Sequence, residues 1–169
     1  PNTVAGAVRA AVRSGVTMLT IHTSGGKEMM AAAAKAGREE SARTGRGRPF
    51  LLGVTVLTSL KDEELRQIGF ANAVADQVLR LAVLAKESEL DGVVCSPHEI
   101  ETIKKECGGD FLVVTPGIRP TWAAAQDQKR IMTPAEAIRM GADYLVIGRP
   151  ITGAPSPGEA FLRILAELD

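Results

Sequence analysis

Two arginines stand in similar settings near the end of this sequence, Arg119 in PGIRP and Arg149 in GRP, each a few residues beyond a short apolar run, FLVVT and YLVI. Two guanidinium groups can grip one phosphate through directional, charge-assisted hydrogen bonds, and Gly148 would let backbone N–H groups come close to the same anion. Surface loops also hold arginines for solubility alone, so the pairing carries the reading, not either residue by itself. Gln128, in the long stretch AAAQDQKRIMTP, can donate amide hydrogen bonds without adding charge. It reads either as part of a binding loop or as a solvated glutamine. Thr58 and Ser59 close the run VTVLTS, where their hydroxyls can bond a polar ring or a ribose, or can cap the helix expected from Asp62. His22, in TIHTSGG, can serve as acid, base or ligand, but with no partner at metal-ligand spacing it reads more simply as a structural hydrogen-bonding residue. His98, Cys95 and Cys107 read as structural or packing residues, and Trp122 as a residue that shields a loop or simply packs. No acid, base or nucleophile emerges.

The elements that must hold these residues alternate. Apolar, β-rich runs cover Val16 to Ile21, Phe50 to Leu57, Gly92 to Cys95, Phe111 to Thr115 and Tyr144 to Ile147. Helical spacing covers Lys27 to Arg38, a broken stretch from Asp62 to Glu87, Pro97 to Glu106, Pro134 to Met140 and Pro157 to Leu168. A further helix opens the chain, with Thr3 as its N-cap and Gly15 as its end. Alternation of this kind predicts an α/β protein with a parallel sheet, and near-continuous hydrophobic runs suit strands buried on both faces. The two common solutions are an open doubly wound sheet and a closed eight-stranded barrel. HTSGGK lacks the GxGxxG spacing of a dinucleotide-binding turn. Phosphate-binding barrels put their phosphate on the loops after strands seven and eight, so placing Arg119 and Arg149 there makes the first run here strand four. On this count residues 1–169 form a single domain, the C-terminal portion of a (β/α)8 TIM barrel of the ribulose-phosphate-binding type with strands 4 to 8, and three strands precede Pro1. A full barrel averages ~250 residues. Asp91 and Asp143 precede strands and belong to the stability face, and REESARTGRGRPF reads as a solvated helix end and loop.

The composition narrows the partners. Of 169 residues, 45% are hydrophobic and 24% charged, which suits an ordinary globular core. Twenty basic residues offset twenty acidic ones, so no overall charge recommends nucleic acid or a membrane surface. Two cysteines without CxxC spacing fit a reducing cytoplasm, and no apolar run reaches the ~18 residues of a membrane span.

In order along the chain, VTVLTS, DGVVCSPHE, VTPGIRP, DQKRIMTP and DYLVIGRPIT resemble bacterial orotidine 5'-phosphate decarboxylases, and the likeness runs through essentially the whole sequence. The opening PNT resembles the residues that follow that family's DxKxxDI signature. The resemblance implies a homodimeric barrel that decarboxylates orotidine 5'-phosphate to UMP in pyrimidine biosynthesis, without metal or organic cofactor. It also implies a Lys and Asp network, supplied mainly by the first three strands, that stabilises the C6 carbanion and protonates it. None of that network falls in this sequence, so no catalytic residue is expected here and the chain by itself is expected to be inactive. What the resemblance assigns to this chain is binding: Thr3 toward the ribose of the neighbouring subunit's substrate, Thr58 and Ser59 toward nucleotide and base, and Arg119, Gln128, Gly148 and Arg149 toward the phosphate. Two alternatives remain, another sugar-phosphate barrel lyase or epimerase and a noncatalytic nucleotide-binding protein.

Overall fold

The computed structural model describes residues 1–123 and 132–168. Among them, helix α1 (Asn2–Ser14) leads into strand β1 (Met18–His22), α2 (Lys27–Thr44), β2 (Phe50–Val54), α3 (Asp62–Gln67), α4 (Val74–Glu87), β3 (Gly92–Val94), α5 (Ile100–Cys107), β4 (Leu112–Thr115), α6 (Pro134–Arg139), β5 (Tyr144–Leu145), α7 (Arg149–Thr152) and α8 (Pro157–Leu165). The five strands form one parallel sheet in the order β1-β2-β3-β4-β5. That order decides between the two architectures. A doubly wound sheet reverses direction at a switch point, whereas strands that always add beside their predecessor follow the winding of a barrel wall.

The core lies between the sheet and its helices. Leu51, Val93 and Val113 are fully buried on consecutive strands, facing Met30, Ala33 and Ala34 of α2, Val78 and Ala82 of α4 and Ile100 and Ile103 of α5. Small residues set the spacing. At Gly92 a Cβ would fall 2.2 Å from the Leu112 carbonyl oxygen, so β3 and β4 can lie side by side here only with glycine. Gly15 ends α1 in the left-handed conformation, φ 74°, with its N–H bonded to the Val12 carbonyl at 3.0 Å.

Asp91 and Asp143 hold the amino end of the sheet in the same way. Asp91 accepts the Leu51 N–H at 2.7 Å while its own N–H donates to the Leu51 carbonyl at 2.9 Å, and Arg48 binds the carboxylate at 2.8 and 2.5 Å. Asp143 accepts the Val113 N–H at 2.7 Å, returns its N–H to the Val113 carbonyl at 2.9 Å, and is bonded by Lys104 Nζ at 2.7 Å. The placement of both on the stability face is thus correct.

Several boundaries differ from those the sequence predicts. Thr3 is not an N-cap: Pro1 holds that position, and Thr3 lies exposed in the first turn of α1. α2 runs on to Thr44, and the expected solvated helix end contains Glu40, which is buried and bonded by Arg13 and Arg43. β2 stops at Val54, β5 is two residues long, and Arg149 opens a one-turn helix where a loop was expected. No helix among the described residues is long and apolar enough to cross a membrane.

Candidate phosphate site

The carboxyl end of the sheet is finished by hydroxyls. Thr23 Oγ1 donates to the Val54 carbonyl at 2.8 Å, and Thr55 Oγ1 to the Val94 carbonyl at 2.8 Å, so the last acceptors of β2 and β3 are taken by the residues leaving β1 and β2. These bonds satisfy backbone where the ladder ends and hold the starts of the loops in place.

Arg119 leaves β4 through PGIRP. Its N–H donates to the Met132 carbonyl at 2.9 Å, beside a parallel bridge between Ile118 and Met132, and its Nη1 donates to the Ile118 carbonyl at 2.9 Å. The side chain is buried, which limits its directions. Arg149 is exposed, and the fixed φ of Pro150 behind it favours the helical turn of α7. A Cβ on Gly148 would meet nothing within 4 Å, so the space above it is open for a ligand. Arg119 and Arg149 line one cavity of about 420 Å³ together with Trp122, Glu159 and Arg163. Among the described residues its wall therefore carries three arginines and one glutamate, a donor-rich surface suited to an oxyanion.

Thr3, Thr58 and Ser59 lie apart from this cavity. Thr58 and Ser59 occupy the turn Leu57 to Leu60, closed by a Leu60 N–H to Leu57 carbonyl bond of 3.0 Å, and line a separate cavity of about 670 Å³ with Lys61, Arg66 and Glu99. They are not the N-cap of α3, which is Lys61. Thr3 lines neither cavity. Gln128 lies outside the described residues, as do Lys129 and Arg130. His22 ends β1 exposed and lines a smaller cavity with Ser24 and Thr55. Cys95 and Cys107 are buried, as expected for packing residues, and burial pushes the Cys107 thiol up. Among the described residues no group of three or more His, Cys, Asp or Glu is gathered to hold a metal. Sequence reading missed Arg163, whose position on the polar side of an amphipathic helix gave no signal of its own.

A sequence model of the family described as "Orotidine 5'-phosphate decarboxylase / HUMPS family" matches residues 1–164. The chain belongs to this family. The orotidine 5'-phosphate decarboxylase of Moorella thermoacetica is 56% identical over 170 residues, which take in 100% of this chain and 68% of that protein. The enzyme of the same name from Paramagnetospirillum magneticum is 54% identical over 168 residues, covering 99% of this chain and 72% of its own length. The crystal structure of orotidine 5'-phosphate decarboxylase from Lactobacillus acidophilus superposes with a TM-score of 0.86 at 39% identity, covering all of this chain and 70% of that one. The five-stranded parallel sheet is accordingly part of a TIM barrel in this decarboxylase family.

Proposed function

We propose that this chain takes part in the decarboxylation of orotidine 5'-phosphate to UMP, and that its own contribution is to hold the nucleotide by its phosphate. The observation that carries the reading is the convergence of Arg119 and Arg149, from consecutive βα units, on one cavity at the carboxyl end of the sheet. Barrel enzymes build their sites at that end, and the last two loops are where they hold phosphate. Gly148 leaves the approach open, and Gln128, outside the described residues, is assigned to the phosphate by the resemblance alone. Thr58 and Ser59 meet the sugar and base, and Thr3 reaches the substrate of the second subunit of a homodimer working in the cytoplasm.

On this reading the phosphate is remote from the bond that breaks. Contacts made there lower the barrier only if they organise the reacting end, so binding energy gathered by the two arginines is used in the transition state rather than merely in capture. The chemistry at C6 needs a cation to protonate the carbanion and carboxylates to set the local field. The residues assigned here do neither, and residues 1–169 alone should bind nucleotide without turning it over. Joining this chain to the amino-terminal strands of the Moorella relative, either fused or as a separate polypeptide, should produce decarboxylation measurable as loss of orotidine absorbance. Turnover by residues 1–169 unaided, or none by the complemented protein while it folds and binds UMP, would overturn this division of labour.

A further inference from the structure

The pairing between β4 and β5 extends over two residue pairs, Val114 with Tyr144 and Thr115 with Leu145. So short a ladder leaves the relative placement of the Arg119 and Arg149 segments to contacts beyond the sheet. Two such contacts come from the last helix and the turn that follows it. The Arg163 guanidinium lies 4.3 Å from the centroid of the Trp122 ring, and Thr121 Oγ1 donates to Glu167 Oε1 at 3.2 Å. Trp122 stands three residues beyond Arg119, and α8 follows directly on the turn that carries Arg149. Trp122 and Arg163 both line the cavity of the two arginines, as does Glu159, one helical turn before Arg163.

We propose that Arg163, seated on Trp122, is a positioning residue of the phosphate site, fastening the Arg119 segment to the unit that carries Arg149 and adding a third cation to the cavity's field. A guanidinium stacks on an indole through both its charge and its plane, so the contact fixes an orientation as well as a distance. Ala160 and Ile164, buried on the inner side of α8, hold the helix that presents it. Glu159 is the one acidic residue among the described residues that line the cavity. The proposal rests on the reading that Arg119 and Arg149 take the phosphate of a nucleotide.

Trp122 is the chain's only tryptophan, so its emission reports on this contact directly. The full chain should be titrated with UMP and with uridine, by fluorescence and by calorimetry, beside an Arg149→Ala control. Arg163→Gln should shift the Trp122 emission of the ligand-free protein, weaken UMP binding about two- to fivefold and leave uridine binding unchanged. Trp122→Leu should weaken UMP to a similar extent, and the double variant should lose no more than the worse single change, since both remove one contact. Arg163→Gln binding UMP as tightly as the unaltered chain, weakening UMP and uridine alike, or adding fully to Trp122→Leu would overturn the proposal. If Arg149→Ala weakens UMP while Arg163→Gln does not, the positioning role falls and the phosphate site stands. If the unaltered chain does not prefer UMP to uridine, the phosphate reading falls and the proposal with it.

Discussion

The two ends of the sheet treat charge in opposite ways. At the amino end, Asp91 and Asp143 are each closed into a ring with the backbone of the preceding strand, and each faces one cation, Arg48 or Lys104. At the carboxyl end, three arginines and a single glutamate among the described residues share the wall of one cavity. Matched charge locks neighbouring strands together and leaves little to offer a ligand. Guanidiniums gathered beside a cavity present donors and positive charge to an anion that enters it. The difference separates residues that hold the barrel wall from residues that bind.

The comparison breaks most visibly at Arg149. In the complemented enzyme, Arg149→Ala should lower kcat/KM for orotidine 5'-phosphate roughly a hundredfold, from the loss of ~3 kcal/mol of charge-assisted contact, and should barely alter the rate on the nucleoside lacking phosphate. Equal losses on both substrates would make Arg149 structural and erase the contrast. Asp91→Ala is the mirror experiment. It strips the Leu51 N–H and the Arg48 guanidinium of their acceptor and should lower unfolding stability by about 1–3 kcal/mol in urea titrations, with UMP affinity unchanged. A change in affinity without a change in stability would put function at the wrong end.

Smaller effects sharpen the same division away from the sheet. Glu40 joins α2 to α1: hydrogen bonding from Arg43, and then from Arg13, holds its carboxyl at about 2 against an ordinary value of 4.5, while burial pushes the other way. A depressed folded-state value contributes stability in full above about 4.5 and loses it as pH falls through 2. Glu40→Gln should therefore lower Tm at neutral pH and flatten its decline between those two values, as followed by thermal unfolding across pH. At α6, Thr133 and Glu136 form a capping box, with the Glu136 N–H donating to Thr133 Oγ1 at 3.3 Å and the Thr133 N–H to Glu136 Oε2 at 3.0 Å. Thr133→Ala should cost about 1 kcal/mol in the same unfolding measurement.

Much of the barrel wall was legible because β2, β3 and β4 are largely buried and read as unbroken apolar runs, whereas β1 and β5 are half-buried to exposed. FLLGV and LVVT announce themselves, and the stretch from Asp62 to Glu87, read as broken, is divided in the structure into α3 and α4. Strand ends were less legible. β2 was expected to reach Leu57 but stops at Val54: Thr55 N–H makes the last ladder bond to the Val94 carbonyl, its hydroxyl takes the same oxygen, and the chain then turns at Leu57 to Leu60. A run of β-branched residues cannot show that switch. Arg119 and Arg149 were legible as a pair because each follows an apolar run in a glycine-containing loop. Arg163 was not, since its part depends on a tertiary contact with Trp122 that neither residue's local sequence implies. Glu40 was misread as solvated for the same reason: its partner Arg13 lies on a different helix.

The most direct test of the claim that the carboxyl end is a phosphate site is a crystal structure of this polypeptide with UMP bound. The account predicts phosphate oxygens at hydrogen-bonding distance, about 2.7–2.9 Å, from the guanidiniums of both Arg119 and Arg149. A phosphate seated instead in the cavity of Thr58 and Ser59, or at the amino end of the sheet beside Arg48 or Lys104, would contradict it.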